Sequence, residues 1–182
     1  MDKVLKVDIA GKIAELPILP LPSGISIAFF NLHGAQALTE HCAKALAPFV
    51  KDCEVLFTPE SKALQLTHCI ARILGHEYYA VARKNKKLYM QDGMEVEIRS
   101  SITTGATQKL YVSRHDAQLM KGKKVGIVDD VVSTGNSLAG CEDLVKMAGG
   151  IITQKVFVLA EGDAANRTDI KFLSSIPILR YK

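Results

Sequence analysis

Residues 124–137, KVGIVDDVVSTGNS, constrain this chain more than any other stretch. Val125 to Val128 reads as a buried strand, two consecutive carboxylates, Asp129 and Asp130, end it, and a turn of small hydroxyl and glycine residues leads straight into a helix. In open α/β sheets the ligand sits beyond the carboxyl ends of the strands, and the polar groups lie there in this chain. Val131, Val132, Ser133, Thr134, Gly135, Asn136 and Ser137 form the bend. Its small residues let backbone N–H groups approach an anion, and the following helix adds its partial positive charge, so a phosphate is the natural occupant. The two acids would repel that phosphate if they faced it. They are expected instead to accept hydrogen bonds from ribose hydroxyls, through or beside a hard cation. One molecule has both parts, a ribose 5-phosphate. Helix capping and turn chemistry account for any single residue of the bend, but not for the whole ordered string. The Gly-Lys-Ser/Thr end of a Walker loop is absent.

The rest of the chain sets this bend in an α/β frame. Val4 to Ala10 alternates apolar and polar, Leu16 to Gly24 carries three prolines and a turn signal, and Ile25 to Phe30 reads as a short strand. Residues 1–33 are therefore expected to form a small hood on a core of 34–182. Apolar positions recur at three and four from Gly34 to Ala47, predicting a helix that Pro48 follows. Glu54 to Thr58 predicts a strand, Ser61 to Leu74 a helix stopped by Gly75, and Tyr78 to Ala82 a strand. That order implies a parallel pair with a right-handed crossover. Residues 88–113 hold two alternating runs, Met94 to Ile98 and Lys109 to Val112, around a Thr103 to Thr107 tip, as in a long mobile hairpin. After the bend come a helix from Gly135 to Ala148 closed by Gly149-Gly150, a strand from Ile151 to Leu159, and an edge strand within Ile170 to Tyr181.

Composition excludes several classes. A chain of 182 residues, 48% hydrophobic and 23% charged, buries enough surface to need neither disulfides nor a structural metal. Its four cysteines show no metal-ligand spacing and read as free thiols in a reducing compartment. No window approaches the ~20 apolar residues of a membrane span, and the first residues lack a signal peptide's apolar core, so a cytoplasmic protein with no membrane partner is expected. The net charge of +4 demands no nucleic acid and suits a small polyanion; the cations concentrate at 83–87 and 121–124. The five histidines have no metal spacing and are expected to be surface or locally bonded.

The bend resembles the phosphoribosyl pyrophosphate (PRPP) signature of type I phosphoribosyltransferases. Thr58-Pro59-Glu60-Ser61-Lys62 stands where that family has its pyrophosphate loop, and Arg83-Lys84-Asn85-Lys86-Lys87-Leu88 is similar to the basic segment of its adenine and xanthine members. Residues 88–113 correspond to the flexible catalytic loop, and Pro20-Leu21-Pro22-Ser23-Gly24-Ile25 is similar to the adenine branch's hood. The resemblance implies an α/β fold with a mainly parallel sheet flanked by helices, a small N-terminal hood and a flexible β-hairpin loop. It implies transfer of phosphoribose from PRPP to a purine, adenine first, giving AMP and pyrophosphate in salvage. Xanthine or guanine comes second, and a PRPP-binding regulator or a transferase acting on another base remain alternatives. No helix-turn-helix candidate appears in residues 1–30 to support a repressor.

Site roles follow from the same likeness. Asp129 and Asp130 would hold the ribose hydroxyls, with Lys87, as catalytic groups, and Val131 to Ser137 the 5-phosphate. Glu60, Ser61, Lys62, Arg83, Lys84 and Lys87 would meet pyrophosphate, the basic segment reaching across a homodimer. Mg2+ would arrive with the substrate, beside Asp129 and Asp130. Ile27, Phe29 and Glu161 are candidate base contacts. Adenine enzymes usually have an Arg-Asp pair in the hood where this chain reads Ile27-Ala28-Phe29-Phe30, and a loop glutamate with no counterpart in Ser101 to Gly105.

Overall fold

A computed structural model describes residues 3–21, 24–98 and 108–180. In chain order the strands are β1 (Val4–Ile9), β2 (Lys12–Pro20), β3 (Ile25–Ala28), β4 (Val55–Pro59), β5 (Ala80–Ala82), β6 (Met94–Ile98), β7 (Gln108–Val112), β8 (Lys124–Val132), β9 (Ile151–Glu161), β10 (Lys171–Ile176) and β11 (Leu179–Arg180). The α-helices are α1 (Gln36–Leu46), α2 (Leu64–Leu74), α3 (Arg114–Met120) and α4 (Asn136–Met147).

The centre is a parallel sheet of order β10-β9-β8-β4-β5. Every residue of β4 is buried, as a strand covered on both faces requires. Alternation splits the apolar residues into two cores. Leu56 and Val128 face α1, α2 and the hood with Leu46, Leu66 and Ile70. Phe57, Val125 and Ile127 face α3, α4 and the β6–β7 hairpin with Leu110, Leu144 and Met120. Burial of such side chains, each about 1.5–3 kcal/mol, holds the carboxyl ends of β4 and β8 side by side. The hood is an antiparallel sheet of order β1-β2-β3-β11. Among the described residues no helix is long and apolar enough to cross a membrane.

Four differences from the sequence-based expectations have physical reasons. The prolines of residues 16–24 do not end a strand; β2 runs to Pro20. It pairs with β1 through Pro17 and with β3 from Ile18, so the missing N–H of Pro17 falls where β2 changes partner. β8 does not stop at Val128 but continues through both acids to Val132, because Asp129, Val131 and Val132 still pair with Phe157, Leu159 and Ala160 on β9. α3 is an element that the periodicity does not announce; its signal is Ser113, whose hydroxyl accepts from Asp116 N at 3.1 Å. The expected final edge strand divides into β10, on the parallel sheet, and β11, which pairs with β3. The expected loop tip at Thr103 to Thr107, the Ser101 to Gly105 stretch, and Pro22 and Ser23 lie outside the described residues.

Candidate functional site

At the carboxyl ends of β4 and β8, three adjoining hollows of about 140, 430 and 310 Å³ share Val131 and Ser133 as a common wall. The smallest is the bend itself, lined by Asp129 and by Val131 to Leu138 over Phe157. Gly135 sits there at φ +81°, a conformation that costs other residues about 1–2 kcal/mol. A Cβ on it would lie 2.8 Å from Nη1 of Arg167. Arg167 is held by Asp169 through Nε at 2.9 Å and Nη2 at 2.8 Å, and Lys155 joins Asp169 to Glu142 on α4. α4 has no acid in its first turn, and the Asn136 N–H donates to Thr134 Oγ1 at 3.5 Å, so the positive end of the helix dipole lies at the bend. Such a terminus accommodates a phosphate.

The acid pair forms the floor between this bend and the middle hollow. Asp130 is 7% exposed and, among the described residues, its Oδ2 accepts no hydrogen bond and Lys62 Nζ, 3.9 Å away, is its nearest cation. The Asp130 N–H donates to Asp129 Oδ1 at 2.8 Å. Burial, and then the neighbouring Asp130 charge, push the Asp129 carboxyl well above the usual carboxylate range; the Asp130 N–H and Lys84 offset part of this. An orphaned acid oxygen beside a carboxyl whose charged form is disfavoured is a site short of partners, which hydroxyl donors or a hard cation would supply. Among the described residues no cluster of three or more His, Cys, Asp or Glu could hold a metal. Asp129 and Asp130 are oxygen donors of the kind a hard cation such as Mg2+ takes when most of its ligands come from outside the protein.

Over the middle hollow lies the turn after β4, where the Glu60–Ser61 peptide is cis. Glu60, Ser61, Lys62 and Lys84 line this hollow. The Glu60 carboxylate is already engaged, with Oε2 2.9 Å from Arg83 Nε and Oε1 accepting from Lys84 N at 2.7 Å. Its role at the site is to fasten the basic segment to the turn. Neither Arg83 nor Lys87 lines the three hollows. Arg83 faces Glu60 and exchanges main-chain hydrogen bonds with Tyr111, while the Lys87 carbonyl accepts from Met90 N in a surface turn.

The third hollow lies under the hood. Ile27, Phe29 and Glu161, the candidate base contacts, all line it, with Ile25, Ile176 and Ile178. Lys62 lines it too, its Nζ 5.1 Å from the Phe29 ring centroid. Several wall residues escape a reading of the sequence. His33 is exposed and bonded as expected, 3.5 Å from Ser61 Oγ and from Gln65 Nε2, but its place at the border of the middle hollow is not legible in the sequence. Ile176 and Ile178 come from the far end of the chain, and Arg167, which stands behind Gly135 without lining a hollow, from a loop. Only the Arg-x-Asp spacing at 167 and 169 could have marked Arg167, and only the tertiary fold brings the others in.

Comparison with known proteins agrees with this geometry. A family model described as phosphoribosyl transferase domain matches residues 31–175. The adenine phosphoribosyltransferase of Petrotoga mobilis is 26% identical over 178 residues, 96% of this chain and 98% of that protein. The crystal structure of adenine phosphoribosyltransferase from Thermoanaerobacter pseudethanolicus superposes with a TM-score of 0.71 at 21% identity, covering 88% of this chain and 95% of that one. The enzyme from Giardia lamblia complexed with 9-deazaadenine gives 0.69 at 17% identity, covering 95% and 93%. These two likenesses show a shared fold.

Proposed function

The chain belongs to the phosphoribosyl transferase domain family, and on that premise we propose that it transfers the phosphoribosyl group of PRPP to a purine. Adenine is the first choice of base, giving AMP and pyrophosphate in purine salvage. The observation that carries this reading is the continuity of the three hollows across Val131 and Ser133. A phosphate bend, an acid floor with an orphaned oxygen, a cationic turn and an apolar chamber lie side by side, in the order of the parts of a ribose flanked by phosphate, pyrophosphate and base.

In the proposed reaction a purine ring nitrogen attacks C1′ of the ribose, the C1′–oxygen bond to pyrophosphate breaks, and the nitrogen's proton is lost. Ser133 to Ser137 hold the 5-phosphate by main-chain N–H groups, fixing the sugar against the acid floor. Asp129 and Asp130 accept from the ribose hydroxyls, which satisfies Asp130 Oδ2 and orients C1′. Ser61, Lys62 and Lys84 face the departing pyrophosphate, where negative charge grows, and fixed cations there stabilise the transition state. Mg2+ bound with PRPP, beside Asp129 and Asp130, would neutralise part of the leaving group's charge. Ile27 and Phe29 supply an apolar wall for the base. Glu161 supplies an acceptor, which suits the exocyclic amine of adenine more than the oxygen of a 6-oxo purine.

We further propose a homodimer. Leu88 and Tyr89, 93% and 70% exposed, stand beside Lys87 outside the three hollows, and a partner subunit would cover them and receive the basic segment. The proposed setting is the cytoplasm, consistent with four free cysteines. The test is a panel of purine and pyrimidine bases incubated with PRPP and Mg2+, scored for nucleotide. AMP from adenine is expected. Product from xanthine or guanine alone would reassign the base, and tight PRPP binding with a silent panel would make the protein a regulator.

A further inference from the structure

Lys62 belongs to two hollows at once, and its two contacts lie in different parts of the fold. Its ammonium is 3.9 Å from Asp130 Oδ2 on β8 and 5.1 Å from the ring centroid of Phe29, just beyond β3 in the hood. The side chain is 42% exposed, and its ammonium stands between a carboxylate and an aromatic face. Asp130 Oδ2 is buried and has no hydrogen-bond donor among the described residues, so it attracts a cation within reach. The face of an aromatic ring likewise attracts an ammonium.

We infer that Lys62 is a latch that couples the pyrophosphate and base subsites: in the ligand-free protein its ammonium covers the Phe29 face, and pyrophosphate draws it away. This inference rests on the functional reading above. The physical reason is competition for one charge. Pyrophosphate in the middle hollow offers Lys62 several anionic oxygens, far stronger partners than an aromatic ring and a carboxylate out of hydrogen-bond range. Once the ammonium moves to them, the Phe29 face becomes free for a base. The coupling is reciprocal, so a base on Phe29 favours the ammonium's move and raises pyrophosphate affinity equally.

Calorimetry on the full chain tests this without turnover, using adenine and magnesium pyrophosphate as probes. In the unmodified protein, saturating pyrophosphate should tighten adenine binding by about two- to fivefold, the range of an exposed cation–ring contact. Lys62→Gln should weaken pyrophosphate binding, yet tighten adenine binding by the same two- to fivefold when adenine is added alone, and should abolish the coupling. A lysine that only binds pyrophosphate would leave adenine affinity unchanged, and that result overturns the latch. Phe29→Leu provides the second arm. Freed from the ring, Lys62 should bind pyrophosphate about two- to fivefold more tightly, and unaltered affinity again overturns the latch. If the unmodified protein binds adenine and pyrophosphate independently, the latch fails while the functional reading stands. If it binds neither PRPP nor any purine, the functional reading fails and the latch falls with it.

Discussion

The two sides of the site are built from different materials. On the phosphosugar side, β8, the bend and α4 present main-chain N–H groups and two acids on a floor of fully buried residues such as Val128 and Phe157. On the base side, β3 and the residues from Glu161 to Ile178 present side chains from an antiparallel hood and the chain's far end. A backbone cradle tolerates little change, since a Cβ on Gly135 meets both an unfavourable φ and the Arg167 guanidinium. A side-chain wall is altered by any substitution on it. On the proposed reading, the first kind of surface would hold the part of a substrate that stays the same, and the second would set which base fits.

Substitutions should therefore separate the two sides, and the largest separation should come from the acid floor. Asp129→Asn with Asp130→Asn removes two charged acceptors, each worth about 1.5–3 kcal/mol, and PRPP affinity should fall at least about 100-fold in calorimetry while the fold persists. Full affinity in that variant would break the division at its root. Next comes Gly135→Ala, whose φ cost of about 1–2 kcal/mol lets the empty bend relax; PRPP must then restore it, so its affinity should fall about tenfold, with the KM for adenine at saturating PRPP little changed. Equal loss on both substrates would mean that the bend is not a separate module. Glu161→Gln is the mirror experiment. It should raise the KM for adenine about fivefold, as a charged acceptor becomes a neutral one, and leave PRPP affinity alone.

The acid floor should also carry a cost in the ligand-free protein. Asp129 keeps its proton in the fold at pH values where the unfolded chain, with a pKa of about 3.9, has lost it. Its contribution to stability therefore falls as pH rises from that value through the raised folded pKa. Asp129→Asn should raise the melting temperature at neutral pH by about 2–4 °C for each kcal/mol relieved, and the gain should vanish below about pH 4. A variant that melts lower at pH 7 would mean that the charge is already satisfied in the empty site.

The same contrast decides how much of the molecule is legible in its amino-acid sequence. The phosphosugar side is legible because its chemistry is contiguous: strand, acids, hydroxyls, glycine and helix occur in one run of fourteen residues, 124–137. Even there the strand's end is not, because pairing with β9 carries β8 past its apolar residues. The pyrophosphate turn is recognisable as a segment, but nothing in its residues tells that Glu60 commits its charge to Arg83. The base side is mostly hidden. Ile178 reaches Ile27 because the following strand, β11, pairs with β3, a contact across more than 150 residues that no local periodicity announces. Arg167 is illegible for the same reason, since its place against Gly135 depends on β9, β10 and α4 together.

The central claim is that the acid pair and the bend form one receptacle for a phosphorylated sugar. Its most direct test is a titration of isotope-labelled protein with ribose 5-phosphate, followed by the backbone amide resonances. The amides of Ser133 to Ser137 should move most, with Asp129 and Asp130 close behind, while those of Ile25 to Ala28 stay still. Ribose 5-phosphate that binds and shifts the hood, leaving residues 133–137 unmoved, would contradict the account.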